Sequence, residues 1–208
     1  ADEEEATARL RAAIPELGSS AARDLATGYL AGAEADAALL PLPVLRGAVA
    51  GIGPDPFALA GQLALDPLVV MRRLAGLPEL AAGLVICDAS GTFTFRKPAI
   101  GFPLPRFGSA CPLWPLYQAL GQPLQPIEAL VEMSAQGAAR HRVFAWAVPL
   151  RPLGPRGPEL RQAGMLILPG EVQPPGAERV LPVGSSCRIC PLAACPGRRE
   201  PSILAPEH

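Results

Sequence analysis

The 208-residue chain carries 18 basic and 19 acidic side chains, a formal charge of −1, so its overall charge draws it neither to nucleic acid nor to an anionic membrane. Half of its residues are hydrophobic, enough for one large or two modest cores. No run of about 20 apolar residues is present to span a bilayer, and no membrane association is expected.

The opening stretch, ADEEEATARL, has neither an initiator Met nor a signal-peptide pattern, so the chain is expected to be part of something longer and to reside in the cytoplasm. From Glu3 to about Leu80, Ala and Leu recur at helical spacing. Helices are expected over Glu4–Ile14, Ser20–Ala38 and Pro43–Val49, followed by a pair within PFALAGQLALDPLVVMRRLAGLPE. Asp66 followed by Pro67 reads as an N-cap with Pro in the first turn, and Gly76 and Pro78 supply the stop. Residues Leu59 to Leu74 have the packing positions of a helix-turn-helix, with Arg72 and Arg73 where a recognition helix would meet phosphate. Two packed core helices joined by a short turn is the plainer reading, because neither the segment nor its flanks are basic.

After Gly83 the period changes. GLVICD and TFTFRK, joined by Ala-Ser-Gly, predict a β-hairpin. Pro98 to Arg106 reads as a loop, and CPLWPLYQAL (Cys111–Leu120) as a short helix broken by Pro115. Three further strands are expected at Ile127–Met133, Arg142–Leu150 and Ala163–Leu168, and regular structure fades after Pro169. The fold class is therefore α+β: a helical N-terminal segment (1–80), then an antiparallel sheet with helices on one face (81–172), and a Cys-rich tail (173–208). Hairpin, helical region and three-strand meander follow one another as in PAS and GAF sensor domains, which hold a pocket between sheet and helices.

In SCRICPLAACPGRR, Cys187, Cys190 and Cys195 are spaced C-x2-C-x4-C in a segment too rich in Pro and Arg for a core element. With no secretory signal and an odd total of five cysteines, a reduced metal-binding group is favoured over a disulfide framework. Zinc prefers two Cys pairs, and here there is one pair with an extra Cys. An iron–sulfur cluster is reached by three loop cysteines plus a distant ligand, and Arg188, Arg198 and Arg199 would offset its negative charge. Cys111 in GSACPLW is the first candidate for the fourth ligand and His141 the second. Cys87, within a strand, reads as a buried apolar side chain.

VGSSCRICPLAACPGRREPSIL resembles the C-terminal signature of bacterial short-chain fatty acyl-CoA-responsive transcriptional regulators. The run from Asp88 through TFTFRKPAIGFPLPRFGSACPLWPLYQAL resembles that family's sensor block. The resemblance covers roughly Leu74 to Leu204. It implies a non-enzymatic module that binds a short-chain acyl-CoA and carries a [4Fe-4S] cluster on Cys187, Cys190 and Cys195, with Cys111 available as the fourth thiolate. It further implies that residues before 80 are the tail of a peptidase-like region lacking HExxH, and that DNA is bound through a domain absent from this chain. A homodimer is expected.

Coenzyme A needs cations for its phosphates and a flat surface for adenine. Arg96, Lys97, Phe102, Arg106, Phe107 and Trp114 offer that mixture around one loop, and Arg140, His141 and Arg142 form a second basic patch. Two readings from other classes stand beside this one. One is a zinc-stabilised interaction module. The other is an acyl-CoA-processing enzyme using Cys111 or Asp88 with His141, for which no nucleophile elbow or phosphate loop is present.

Overall fold

The computed structural model describes residues 2–106, 109–134, 139–170 and 180–204. It divides into two compact units, Ala1–Gly53 and Pro54–His208. The first holds α1 (Asp2–Ala13), α2 (Ser20–Leu39) and α3 (Leu42–Ile52). Ser19 caps α2 by accepting from the Ala22 N–H. An open apolar groove between α1 and α2 is lined by Leu10, Ile14, Leu17, Tyr29 and Leu30. Among the described residues no single helix is long and apolar enough to cross a membrane.

The second unit begins with α4 (Pro56–Leu63) and α5 (Pro67–Ala75), each opened by an Asp cap followed by Pro at the first helical position. A six-stranded sheet follows: β1 (Gly83–Asp88), β2 (Phe93–Lys97), β3 (Ile127–Met133), β4 (Arg140–Leu150), β5 (Leu160–Pro169) and β6 (Val180–Val183), in the order β2-β1-β5-β4-β3-β6. A short helix, α6 (Pro115–Gly121), connects β2 to β3. Asp88 builds the β1–β2 turn: its carboxylate accepts from the Ser90 N–H, the Ser90 hydroxyl and the Thr92 N–H. The Ser90 hydroxyl bond leads in holding that carboxyl below its ordinary pKa. Gly91 takes the left-handed conformation the turn requires, with φ of 79°.

Side chains alternate across the sheet and so show what covers each face. Val85, Cys87, Val143, Ala145, Met165 and Ile167 meet Trp114, Leu116 and Ala119 at and within α6. On the opposite face Phe57 of α4 packs against Phe144 and Trp146, with ring centroids 5.7 and 6.1 Å apart, and Leu68 of α5 lies over Gly164. The sheet is thus covered on both faces, which corrects the expectation of helices on one face.

Four further expectations are revised. The compact units part at residue 54, earlier than the boundary near 80, because the apolar face of α5 is buried against β1, β4 and β5. That burial agrees with the plainer reading of α5 as a packed core helix. Pro115 starts α6 instead of breaking it, since the first position of a helix needs no N–H. The tail also contributes to the sheet: β6 pairs with β3 in parallel, so the sheet is mixed and residues after 173 belong to the same compact unit.

The second basic patch is an ion-pair network. Arg140 bonds Glu132 at 2.9 Å, while Arg142 bonds Glu128 at 2.6 Å and Asp55 at 3.1 Å, with its guanidinium 4.6 Å from the Phe144 ring centre. Asp55 also caps α4 by accepting from the Phe57 and Ala58 N–H groups. Asp55→Ala is therefore expected to cost about 1–2 kcal/mol through the lost cap. Glu128→Gln should cost under about 1 kcal/mol, because its pair is partly solvated. Urea unfolding of the two variants tests that ranking, and equal losses would contradict it.

Candidate ligand loop and cysteine site

The described parts of the segment between β2 and α6, residues 98–106 and 109–114, are pinned at several points. The bridge between Ala99 and Phe102 closes a tight turn beneath which His141 is buried, its Nε2 2.9 Å from the Ile100 carbonyl. Phe102 meets His141 edge-on at 5.2 Å and Trp114 at 5.1 Å, and Trp114 stacks parallel to Phe93 at 6.1 Å. Phe102 and Trp114 are each 1% exposed. Aromatic residues close to arginines in sequence have here become core, because two rings of this size bury more apolar area against the sheet than an open loop would.

The cations lie nearer the surface. Arg96 sits 5.1 Å from the Phe93 ring centre and donates to the carbonyls of Pro105 and Arg106, both at 3.3 Å. Lys97 donates to the Ala75 carbonyl at the end of α5, where the helix dipole favours a cation. Arg106 is exposed, and Phe107 lies outside the described residues.

The cysteine tail closes onto the far end of the same loop. The Cys111 N–H donates to the Ser185 carbonyl at 3.0 Å, the Trp114 indole N–H to the Gly184 carbonyl at 2.8 Å, and Arg199 to the Ala110 carbonyl. Cys187 opens a 3-10 turn, and the Cys190 N–H returns to its carbonyl at 3.3 Å. Arg198 donates to the Cys187 and Cys190 carbonyls, both at 3.4 Å, and to that of Leu192, holding a segment with little regular hydrogen bonding of its own. Cys111, Cys187 and Cys190 are buried and Cys195 is half-buried. Burial is the main cause that pushes the Cys111 thiol up. Backbone N–H groups of Gly184 and Leu113 oppose it, and the neighbouring Cys190 and Cys187 add to it.

Sequence spacing alone finds the tail cysteines, and the structure brings Cys111 to Cys187 and Cys190. Among the described residues no three His, Cys, Asp or Glu side chains form a group able to hold a metal ion. Cys111, Cys187 and Cys190 are nevertheless buried thiols, the donor type a thiolate-ligated cluster takes, and Arg198 fixes the backbone that carries two of them. His141 is engaged with the Ile100 turn, and Asp88 with its own hairpin. Ser185, Gly184 and the Arg199–Ala110 contact were not singled out by sequence reasoning. The glycine three residues before Cys187 was the one local signal.

Residues 75–151 match the family model described as "Short-chain fatty acyl coenzyme A regulator, C-terminal". The chain is 30% identical to the propionyl-CoA carboxylase regulator of Cereibacter sphaeroides, over 88% of this chain and 42% of that protein. It is 26% identical to the HTH-type transcriptional regulator PrpR of Mycobacterium tuberculosis, over 89% and 41%, and equally similar to RamB of the same species. The chain thus spans about two fifths of the curated relatives it matches. A solved Mycobacterium tuberculosis transcriptional regulator shares the fold, with a TM-score of 0.74 at 24% identity over 97% of this chain and 67% of that one.

Proposed function

From the match of residues 75–151 to the model described as "Short-chain fatty acyl coenzyme A regulator, C-terminal", we propose that this chain is the non-catalytic effector-sensing part of a transcriptional regulator. The sheet and its loop, with the PAS- or GAF-like order of hairpin, helix and meander, bind a short-chain acyl-CoA. Cys111, Cys187, Cys190 and Cys195 hold a [4Fe-4S] cluster. DNA is bound through another part of the protein, and the regulator acts as a homodimer in the cytoplasm. One observation carries this reading: the cysteine tail and the ligand loop share the Ala110–Trp114 turn, tied by three hydrogen bonds to Ser185, Gly184 and Arg199.

Arg96, Lys97 and Arg106 rim the ligand site and meet the phosphates, while Phe102 and Trp114 form its packed floor. A cluster held by these thiols would anchor the tail to the loop. The chain's own contribution is to present the thiols, hold their backbone through Arg198 and exclude water by burial.

Anaerobically purified protein should contain iron and acid-labile sulfide and absorb broadly near 400 nm. Cys187→Ser or Cys111→Ser should abolish this, and Cys87→Ser should not. Stoichiometric zinc without iron would overturn the cluster assignment. Calorimetry should show coenzyme A, acetyl-CoA and propionyl-CoA binding more weakly as salt rises. Arg96→Ala should reduce affinity by about 1–3 kcal/mol. No heat with any acyl-CoA on metal-loaded protein would remove the sensor reading.

A further inference from the structure

Gly184 touches both halves of the cysteine site, and each of its backbone faces is used. Its N–H points at the Cys111 sulfur and its carbonyl takes the Trp114 indole proton. A Cβ placed on it would stand 2.9 Å from Cys190 Sγ and 3.0 Å from Cys190 Cβ, separations that real Cβ atoms scarcely show. Its φ lies outside the left-handed region, so glycine is needed here for space and not for backbone conformation. Nor can Cys190 easily withdraw. It is 6% exposed, its N–H is bonded to the Cys187 carbonyl, and its own carbonyl is held by Arg198.

We propose that Gly184 is the positioning residue of the cysteine site, the point across which Cys111, from the loop before α6, and Cys190, from the tail, are brought together. This deepens the cluster reading and rests on it for its purpose, while the geometry holds for the thiols themselves. Any side chain at 184 occupies the volume of the Cys190 sulfur and drives it away from Cys111. Trp114 sets the same backbone from the other side through the carbonyl.

The test begins on metal-free protein with Cys87→Ala, Cys187→Ala and Cys195→Ala, so that Cys111 and Cys190 are the cysteines that remain. Diamide accepts two electrons and two protons from the thiols as they join in a disulfide, which peptide mapping under non-reducing conditions detects. The disulfide is expected to close within one molecule, and adding Gly184→Ala should slow closure about tenfold or more. In the otherwise native chain Gly184→Ala should lower Tm, and adding Cys190→Gly should restore it, because the clash requires the Cys190 side chain. Iron content should fall in Gly184→Ala. Equal closure rates, an unrescued Tm or full iron in Gly184→Ala would each overturn the proposal. If closure and rescue behave as expected while no preparation ever binds iron, the cluster reading fails and the positioning role stands.

Discussion

Replacing Trp114 with alanine is expected to destabilise the protein by about 3–5 kcal/mol, the cost of removing a fully buried aromatic side chain. The ring is 1% exposed, lies 5° from parallel with Phe93 and leans on Phe102. Each such pair adds about 0.5–1.5 kcal/mol beyond area burial. Trp114→Phe separates the roles of ring and N–H. It keeps most of the packing and leaves the buried Gly184 carbonyl without its donor, at about 1–3 kcal/mol. Urea unfolding measures both losses, and Trp114→Ala costing under about 1 kcal/mol would place the ring outside the core. The phenylalanine variant also separates floor from ligand contact. If Trp114 stacked on adenine, Trp114→Phe would weaken coenzyme A binding with stability nearly unchanged. A floor residue loses stability first.

Local chemistry was readable in advance where it depends on near neighbours. The hairpin follows from Asp88-Ala-Ser-Gly and the cap of α5 from Asp66-Pro67, a pattern that Asp55-Pro56 repeats at α4. The coverage of both sheet faces was also present in the sequence: GLVICD and GMLIL are nearly continuous apolar runs, and β1 is buried at five consecutive positions. A sheet open on one side would alternate. β6 was hidden because Pro182 breaks the pattern and its partner β3 lies some fifty residues away. The ligand loop misled for a different reason. Phe102 and Trp114 stand among arginines in sequence, yet the closure of the loop turns them inward while Arg96, on β2, stays outside. Gly184 was invisible for want of a side chain, since its role is the space it leaves for a sulfur brought there by tertiary contact.

Above about pH 9 the fold is expected to weaken steeply, with Cys87 as a principal cause. Its side chain is completely buried in β1, and burial first, then the charge of Asp88, push its pKa from an ordinary 9.0 to about 12. Below pH 9 both folded and unfolded chains keep this proton, and its contribution to stability is constant. Between 9 and 12 the unfolded chain releases it while the folded chain holds it, so unfolding is favoured by about 1.4 kcal/mol per pH unit. Above 12 both forms are ionised and no further loss accrues. Over that window the loss approaches about 4 kcal/mol, against a total stability of about 5–15 kcal/mol for a typical domain. Cys111 and Tyr117 are shifted in the same direction, chiefly by burial, and steepen the decline. Cys87→Ala is expected to start less stable at pH 8, through the small void it leaves, and then to fall more gently. The two curves should therefore converge as pH rises. Urea midpoints measured from pH 8 to 11 decide it: parallel curves would mean that the Cys87 thiol ionises as readily in the fold as in the free chain.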